Sequence, residues 1–239
     1  MKKHLIITGL ISIILFSCTK DEIVNENNTE IKWWLLVYPN NENSGIYLYN
    51  ETKSKVEISF NIPENLTSPH ALDYDGKSLW VGGMGDDQSI YELSPIDGSI
   101  LSEIKNIETE GIACSNDEIY YSSNNEIHRI KKDGIPIETY LVSPNVVIQD
   151  IDIYNSILYY VENGATDPII KFDQLTQKSD TILYSNVSRL YTLATTEDNF
   201  IVVNDLNEIR RFDINSGEIV SDIKINIEGW ITAIAPYKN

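Results

Sequence analysis

Beyond residue 30 the chain is a succession of short apolar runs, each broken after a few residues by Gly, Asn, Asp or Ser. No stretch carries a 3.6-residue apolar period through those breaks, so strands are predicted throughout and long helices are not. The runs group into a cassette. Its clearest member begins at Ile46, Ile90, Ile127, Ile169 and Ile209, and successive starts lie about forty residues apart. A repeat of this length, filled with short strands, is the signature of a β-propeller, in which each repeat is one four-stranded blade.

Each repeat opens on a small or polar residue followed by an aliphatic one: Ala71-Leu72, Gly111-Ile112, Asp150-Ile151, Thr192-Leu193 and Ala233-Ile234. Small side chains suit the innermost strand, where blades converge on the axis. The second strands are the most apolar, as at Trp34–Val37, Leu79–Val81, Ile119–Tyr121, Leu158–Val161 and Phe200–Val203. Unbroken aromatic and β-branched runs fit strands covered on both faces. Most of the 14 Tyr and 4 Trp residues are therefore expected to pack between blades. The third and outermost strands are more polar and are joined by turns such as Asp97-Gly98 and Asp133-Gly134.

The first repeat lacks an innermost strand. The last segment, Trp230–Pro236, has that pattern and nothing after it. The C-terminus is therefore expected to complete the first blade, giving an all-β, single five-bladed propeller over residues 31–239. Closure removes open sheet edges, and the polar caps an open solenoid needs are not seen.

Residues 1–17 begin with Lys2 and Lys3, continue with an apolar run and end at Cys18. That run is short for a membrane span and reads as a signal peptide. Leu15-Phe16-Ser17-Cys18 resembles the lipobox of bacterial lipoproteins, and Thr19-Lys20-Asp21-Glu22 is similar to the acidic surface-export signal of Bacteroidota lipoproteins. The resemblance implies acylation of Cys18, partnership with the lipid bilayer, and a place in the outer membrane facing the cell surface. Two or more acyl chains give stable anchoring. Residues 18–30 are polar and read as a flexible tether. Cys114, the other cysteine, falls in an innermost strand and reads as a small apolar filler.

The formal charge is −18; without Lys2 and Lys3, 16 basic side chains face 36 acidic ones, or −20. Such a chain repels phosphate backbones, so nucleic acid is not an expected partner, and a soluble monomeric body is expected. Pro69–Gly83, with Ile90-Tyr-Glu-Leu-Ser-Pro-Ile-Asp-Gly-Ser after it, resembles the bacterial YVTN/NHL-like propellers. That resemblance implies a fold and not an activity.

Propeller ligands usually bind at the channel mouth, where innermost strands begin. His70, Glu110, Asp150, Tyr191 and Trp230 are the expected inner ring there. An outer ring holds Met84, Asp86, Asn124, Glu162, Asn163, Asn204, Asp205 and the segment 40–43. The inner ring offers either a platform for a sugar or peptide side chain on Trp230 and Tyr191, or a divalent-cation site of His70, Glu110 and Asp150. The latter is similar in residue type to the metal centre of propeller lactonases. Glutaminyl cyclotransferases also use five blades; that resemblance makes Glu110 or Glu162 the acid/base and lets Trp230 shape the pocket. Their Phe-Thr-Gln-Gly-Leu-type segment is absent from the sequence. Gly82–Gly85 lacks the Lys-Ser/Thr of a phosphate loop, and Asp73–Gly76 lacks the later acids of a calcium loop. No Gly-x-Ser-x-Gly elbow appears. The leading expectation is a module binding a glycan, peptide or protein without catalysis or a cofactor, with the two enzyme classes as alternatives.

Overall fold

The computed structural model describes residues 30–38, 44–85, 88–142, 145–163, 167–184, 190–204 and 206–238. Its strands form five antiparallel sheets of four, arranged as the blades of a propeller. Blade two runs outward through β4 (Ser68–Tyr74), β5 (Leu79–Met84), β6 (Ser89–Leu93) and β7 (Ile100–Lys105). Blade three is β8 (Gly111–Ser115), β9 (Glu118–Ser123), β10 (Glu126–Lys131) and β11 (Pro136–Leu141). Blade four is β12 (Ile148–Tyr154), β13 (Ile157–Glu162), β14 (Pro168–Asp173) and β15 (Lys178–Tyr184). Blade five is β16 (Leu190–Thr195), β17 (Asn199–Asn204), β18 (Glu208–Asp213) and β19 (Ile219–Lys224).

Blade one is closed by the C-terminus. β20 (Trp230–Pro236) lies beside β1 (Lys32–Tyr38), followed outward by β2 (Gly45–Asn50) and β3 (Lys55–Asn61). Trp34 is opposite Ala235 and Leu36 opposite Ala233. The innermost strands then touch in a ring, β20 to β4 to β8 to β12 to β16 and back to β20.

Burial follows from this stacking. Trp33 to Val37 are consecutively buried. Trp34 and Leu36 pack toward blade two, while Trp33, Leu35 and Val37 pack toward blade five. The core is accordingly divided into clusters, one at each of the five blade interfaces. Burying each large aliphatic or aromatic side chain contributes roughly 1.5–3 kcal/mol, and that gain is shared between neighbouring blades. No blade has a core of its own.

Each innermost strand has one edge without a strand partner, and unpaired N–H groups on a buried edge are costly. Side chains from the preceding blade cap them. The Cys114 N–H donates to Asp73 Oδ2 at 2.6 Å. The Leu193 N–H and the Thr192 hydroxyl both donate to Asp150 Oδ2 at 2.8 Å. The Thr195 N–H donates to Asp152 Oδ2. Thr192 Oγ1 in turn accepts the Ile234 N–H at 3.0 Å, so one relay ties blade four through blade five to blade one. Between blades three and four the strands approach too closely for any side chain at Gly111. A Cβ there would lie 2.5 Å from Asp150 Oδ1 and 2.7 Å from its Cα.

The outermost strands are managed differently. Every pairing of a third with a fourth strand carries a register shift, at Leu48/Tyr49, Glu92/Leu93, Arg129/Ile130, Ile169/Ile170 and Arg211/Phe212. Bulges of this kind bend an edge and disrupt it as a template for another strand. The bend matters because Leu101 and Val220 on these edges are more than half exposed.

Candidate ligand-binding site at the channel mouth

Register irregularities also occur on the inner side, and these build the site. Where β4 meets β5, Pro69 is opposite Gly83 and Ala71 opposite Gly82, leaving His70 without a partner. The same skip leaves Gln149 unpaired in β12, Tyr191 in β16 and Thr232 in β20. In blade three the N–H groups of Glu110 and Gly111 both reach Ser122, one to its carbonyl and one to its hydroxyl. The residue before the small-aliphatic pair is thus set apart in every blade: His70, Glu110, Gln149, Tyr191 and Thr232. A bulge bends the strand and re-aims a side chain.

Three of these residues open onto one cavity. His70, Tyr191 and Thr232, with Ser68, Tyr38 and Trp230, line a space of about 360 Å³ at the start of β4, β16 and β20. Trp230 is 56% exposed and Tyr38 is 41% exposed, and the two are opposite one another in the β1–β20 ladder. The Thr232 hydroxyl donates toward the Pro69 carbonyl at 3.3 Å and the Leu36 carbonyl at 3.4 Å. Its lone pairs remain available as acceptors. Burial lowers the His70 pKa, which favours the neutral imidazole.

Of the residues expected in the inner ring, the structure therefore brings His70, Tyr191 and Trp230 together. Glu110 holds the equivalent place in blade three but does not line this cavity. Burial, with the neighbouring Glu108 charge, raises its pKa. Asp150 lies one position further along the strand, buried and engaged with Thr192, Leu193 and Ile151. Gln149 takes the ring position in that blade. Burial raises the Asp150 pKa well above the usual carboxylate range against those donated bonds. Tyr38, Ser68 and Thr232 were not singled out by the sequence. Counting one residue back from each small-aliphatic pair finds Thr232 and Gln149.

Among the described residues, no group of three or more His, Cys, Asp or Glu side chains is placed to hold a metal ion. Glu162 is half-buried at the end of β13 and its pKa is raised by burial. Asp86, Asp205, the segment 40–43 and Cys18 with the signal peptide lie outside the described residues. Cys114 is buried in the cluster between blades two and three, and burial raises its thiol pKa.

A larger cleft, about 700 Å³, lies between blades three and four near the turns at the opposite end. Several of its polar groups are matched to one another. Arg129 donates to both carboxylate oxygens of Glu118 at 2.8 Å. Gln174 Oε1 accepts the Tyr120 hydroxyl at 3.3 Å. The cleft reads as a seam between blades, and the smaller mouth cavity is the one that gathers the bulged residues beside exposed aromatic rings.

No family model matches the sequence, and no curated protein does. The fold is widely shared, since 1336 chains of solved structures match it, and so selects no activity. One of them, a chain in a crystal structure of a nidogen/laminin complex, superposes with a TM-score of 0.59 at 11% identity, covering 87% of this chain and 98% of that one. The likeness establishes the propeller fold.

Proposed function

We propose that this protein is a binding module that captures a glycan, peptide or protein at the channel mouth, held at the outer-membrane surface by acylated Cys18. The observation that carries the reading is the gathering of bulged His70, Tyr191 and Thr232 beneath exposed Trp230 and Tyr38. Apolar surface with a few convergent hydrogen-bonding groups is what small-ligand sites are made of. The lipobox-like Leu15–Cys18 and the polar tether support the anchored placement. Glu110 and Glu162, the acid/base candidates of the enzyme readings, are not among the lining residues, which favours binding over catalysis.

Thermal unfolding of the full chain against oligosaccharide and peptide panels tests this reading. A ligand at a hundred times its Kd adds about 2.7 kcal/mol, and Trp230→Ala is expected to abolish that gain while leaving the unliganded melting temperature nearly unchanged. A ligand whose shift survives in Trp230→Ala binds elsewhere and removes the reading. For the anchor, Cys18→Ala is expected to move the protein from the membrane fraction to the soluble fraction.

A further inference from the structure

The chemistry of the mouth narrows the ligand class, given the binding reading above. The five positions set apart at the mouth carry an imidazole, a carboxyl, an amide, a phenol and a hydroxyl, and none is aliphatic. Their chain neighbours Ala71, Gly111, Asp150, Thr192 and Ala233 are all buried. The fold thus places one hydrogen-bonding residue per blade at the start of the innermost strands, and three of the five line the cavity. Beside them stand the exposed faces of Trp230 and Tyr38.

Electrostatics excludes part of what such a site might take. Among the described residues no Lys or Arg lines the cavity, and the chain carries a formal charge of −18, which disfavours an anion. Among the described residues no Asp or Glu lines it either, so an ammonium group would have the aromatic faces but no counter-charge to offset its lost water. A purely aliphatic side chain would leave the Ser68 and Tyr191 hydroxyls and the His70 imidazole without the partners they have in water. An uncharged ring with one apolar face and hydroxyls at its edge satisfies both halves of the lining. Its C–H face lies against the negative face of an indole, while its hydroxyls exchange bonds with the polar groups. About 360 Å³ is near the lower end of the usual range of about 300–1,000 Å³ for ligand pockets, which suits a short saccharide unit.

We propose that the mouth cavity binds a pyranose unit of a neutral glycan, stacked on Trp230 and hydrogen-bonded by His70, Tyr191 and Thr232. The test uses the full chain in lauryldimethylamine oxide micelles, since that detergent carries no sugar. Maltotriose, cellotriose, xylotriose, mannotriose and N,N′-diacetylchitobiose are titrated by tryptophan fluorescence and calorimetry. Trigalacturonate, choline and a pool of uncharged hexapeptides are run in parallel.

At least one neutral saccharide is expected to bind, with affinity reduced at least about tenfold by Trp230→Ala, equivalent to about 1.4 kcal/mol. Trp230→Phe is expected to stay within about threefold of wild type, because it keeps an aromatic face. If trigalacturonate, choline or the peptides bind and the neutral sugars do not, and Trp230→Ala abolishes that binding, the sugar assignment is overturned and the mouth reading stands. If a saccharide binds equally to wild type and Trp230→Ala, both fall. Absence of binding by every neutral saccharide also overturns the assignment.

Discussion

At one end of the innermost strands, bulged His70, Tyr191 and Thr232 open onto a cavity beneath exposed aromatic rings. At the other end, Asp73 and Asp152 cap N–H groups of the next blade, and Asp75 accepts bonds from Trp80 and Lys132. Tyr74 there stacks on Tyr237 with ring centroids 5.7 Å apart. Burial alone would lower the Lys238 pKa, but the charges of Asp73 and Asp152 raise it. The same strands thus spend their polar side chains on structure at one end and turn His70 and Tyr191 to the cavity at the other, while Thr232 both lines the cavity and bonds the Pro69 and Leu36 carbonyls. Polar residues near the axis therefore belong to different classes according to whether the next blade uses them.

The largest effect is expected from breaking the ring. Deleting Gly229 to Asn239 removes Ile231, Ala233, Ile234 and Ala235 from two interface clusters and exposes β1 as an apolar edge. Such an edge templates aggregation, so the truncated chain is expected to be insoluble or to melt far below the parent. Deleting only Tyr237 to Asn239 leaves β20 paired through Pro236. That variant is expected to stay soluble and melt lower while retaining binding at the mouth. Equal solubility and melting of the longer truncation and the parent would refute closure by β20.

Next come the caps between blades. Asp150→Ala leaves the buried Leu193 N–H and Thr192 hydroxyl without their acceptor, and each orphaned group costs about 1–3 kcal/mol. A total near 2–4 kcal/mol is expected in denaturant unfolding, allowing for partial rescue by water. Thr192→Val cuts the relay to Ile234 and is expected to cost less than Asp150→Ala. The pair is expected to be non-additive, because the two side chains share one bond. Additive losses would mean that the relay does not couple the blades.

Acidity should separate the two ends as well. Burial, with the Asp73 charge, pushes the Asp152 pKa up to about 7. A carboxyl raised on folding contributes stability that is full below its unfolded pKa and lost as pH rises through its folded pKa. Its window is therefore from about pH 4 to about pH 7. The melting temperature is expected to be higher at the acidic end of that window. Asp75 and Glu30, held at about 2, lose their contribution only below it. Reduced self-repulsion of the acidic chain acts in the same direction, so the decisive quantity is the difference between wild type and Asp152→Asn. A difference that stays constant across the window would show that Asp152 does not titrate there.

The blade count, strand roles and closure were legible because they rest on composition. Small-aliphatic pairs and continuous apolar runs survive small shifts of register. The candidate site was legible only in part, because a bulge adds a residue without changing composition. Asp150 looked like a ring residue by its polarity, while the skip in β12 gives that place to Gln149. Trp230 was expected in the inner ring; it lines the cavity as an exposed side chain, and Thr232 is the bulged residue. The capping roles of Asp73, Asp152 and Thr192 depend on the neighbouring blade's backbone, which no local pattern encodes.

The smallest stability effect is expected beside one of the largest. Gln149 and Asp150 are adjacent in β12, yet the bulge gives Gln149 no partner in β13 and leaves it half-buried, while Asp150 is buried and bonded to blade five. Gln149→Ala is therefore expected to change stability by no more than about 0.5 kcal/mol, the usual range for a substitution away from buried bonds. Asp150→Ala in the same host is expected to cost several times more. Denaturant midpoints at constant slope measure both in one experiment. Comparable losses would mean that Gln149 is as deeply engaged in the blade interface as Asp150, and the division between spent and free polar residues would fail at its most closely spaced pair. A small loss for Gln149→Ala together with weakened saccharide binding would instead extend the mouth from three blades to a fourth.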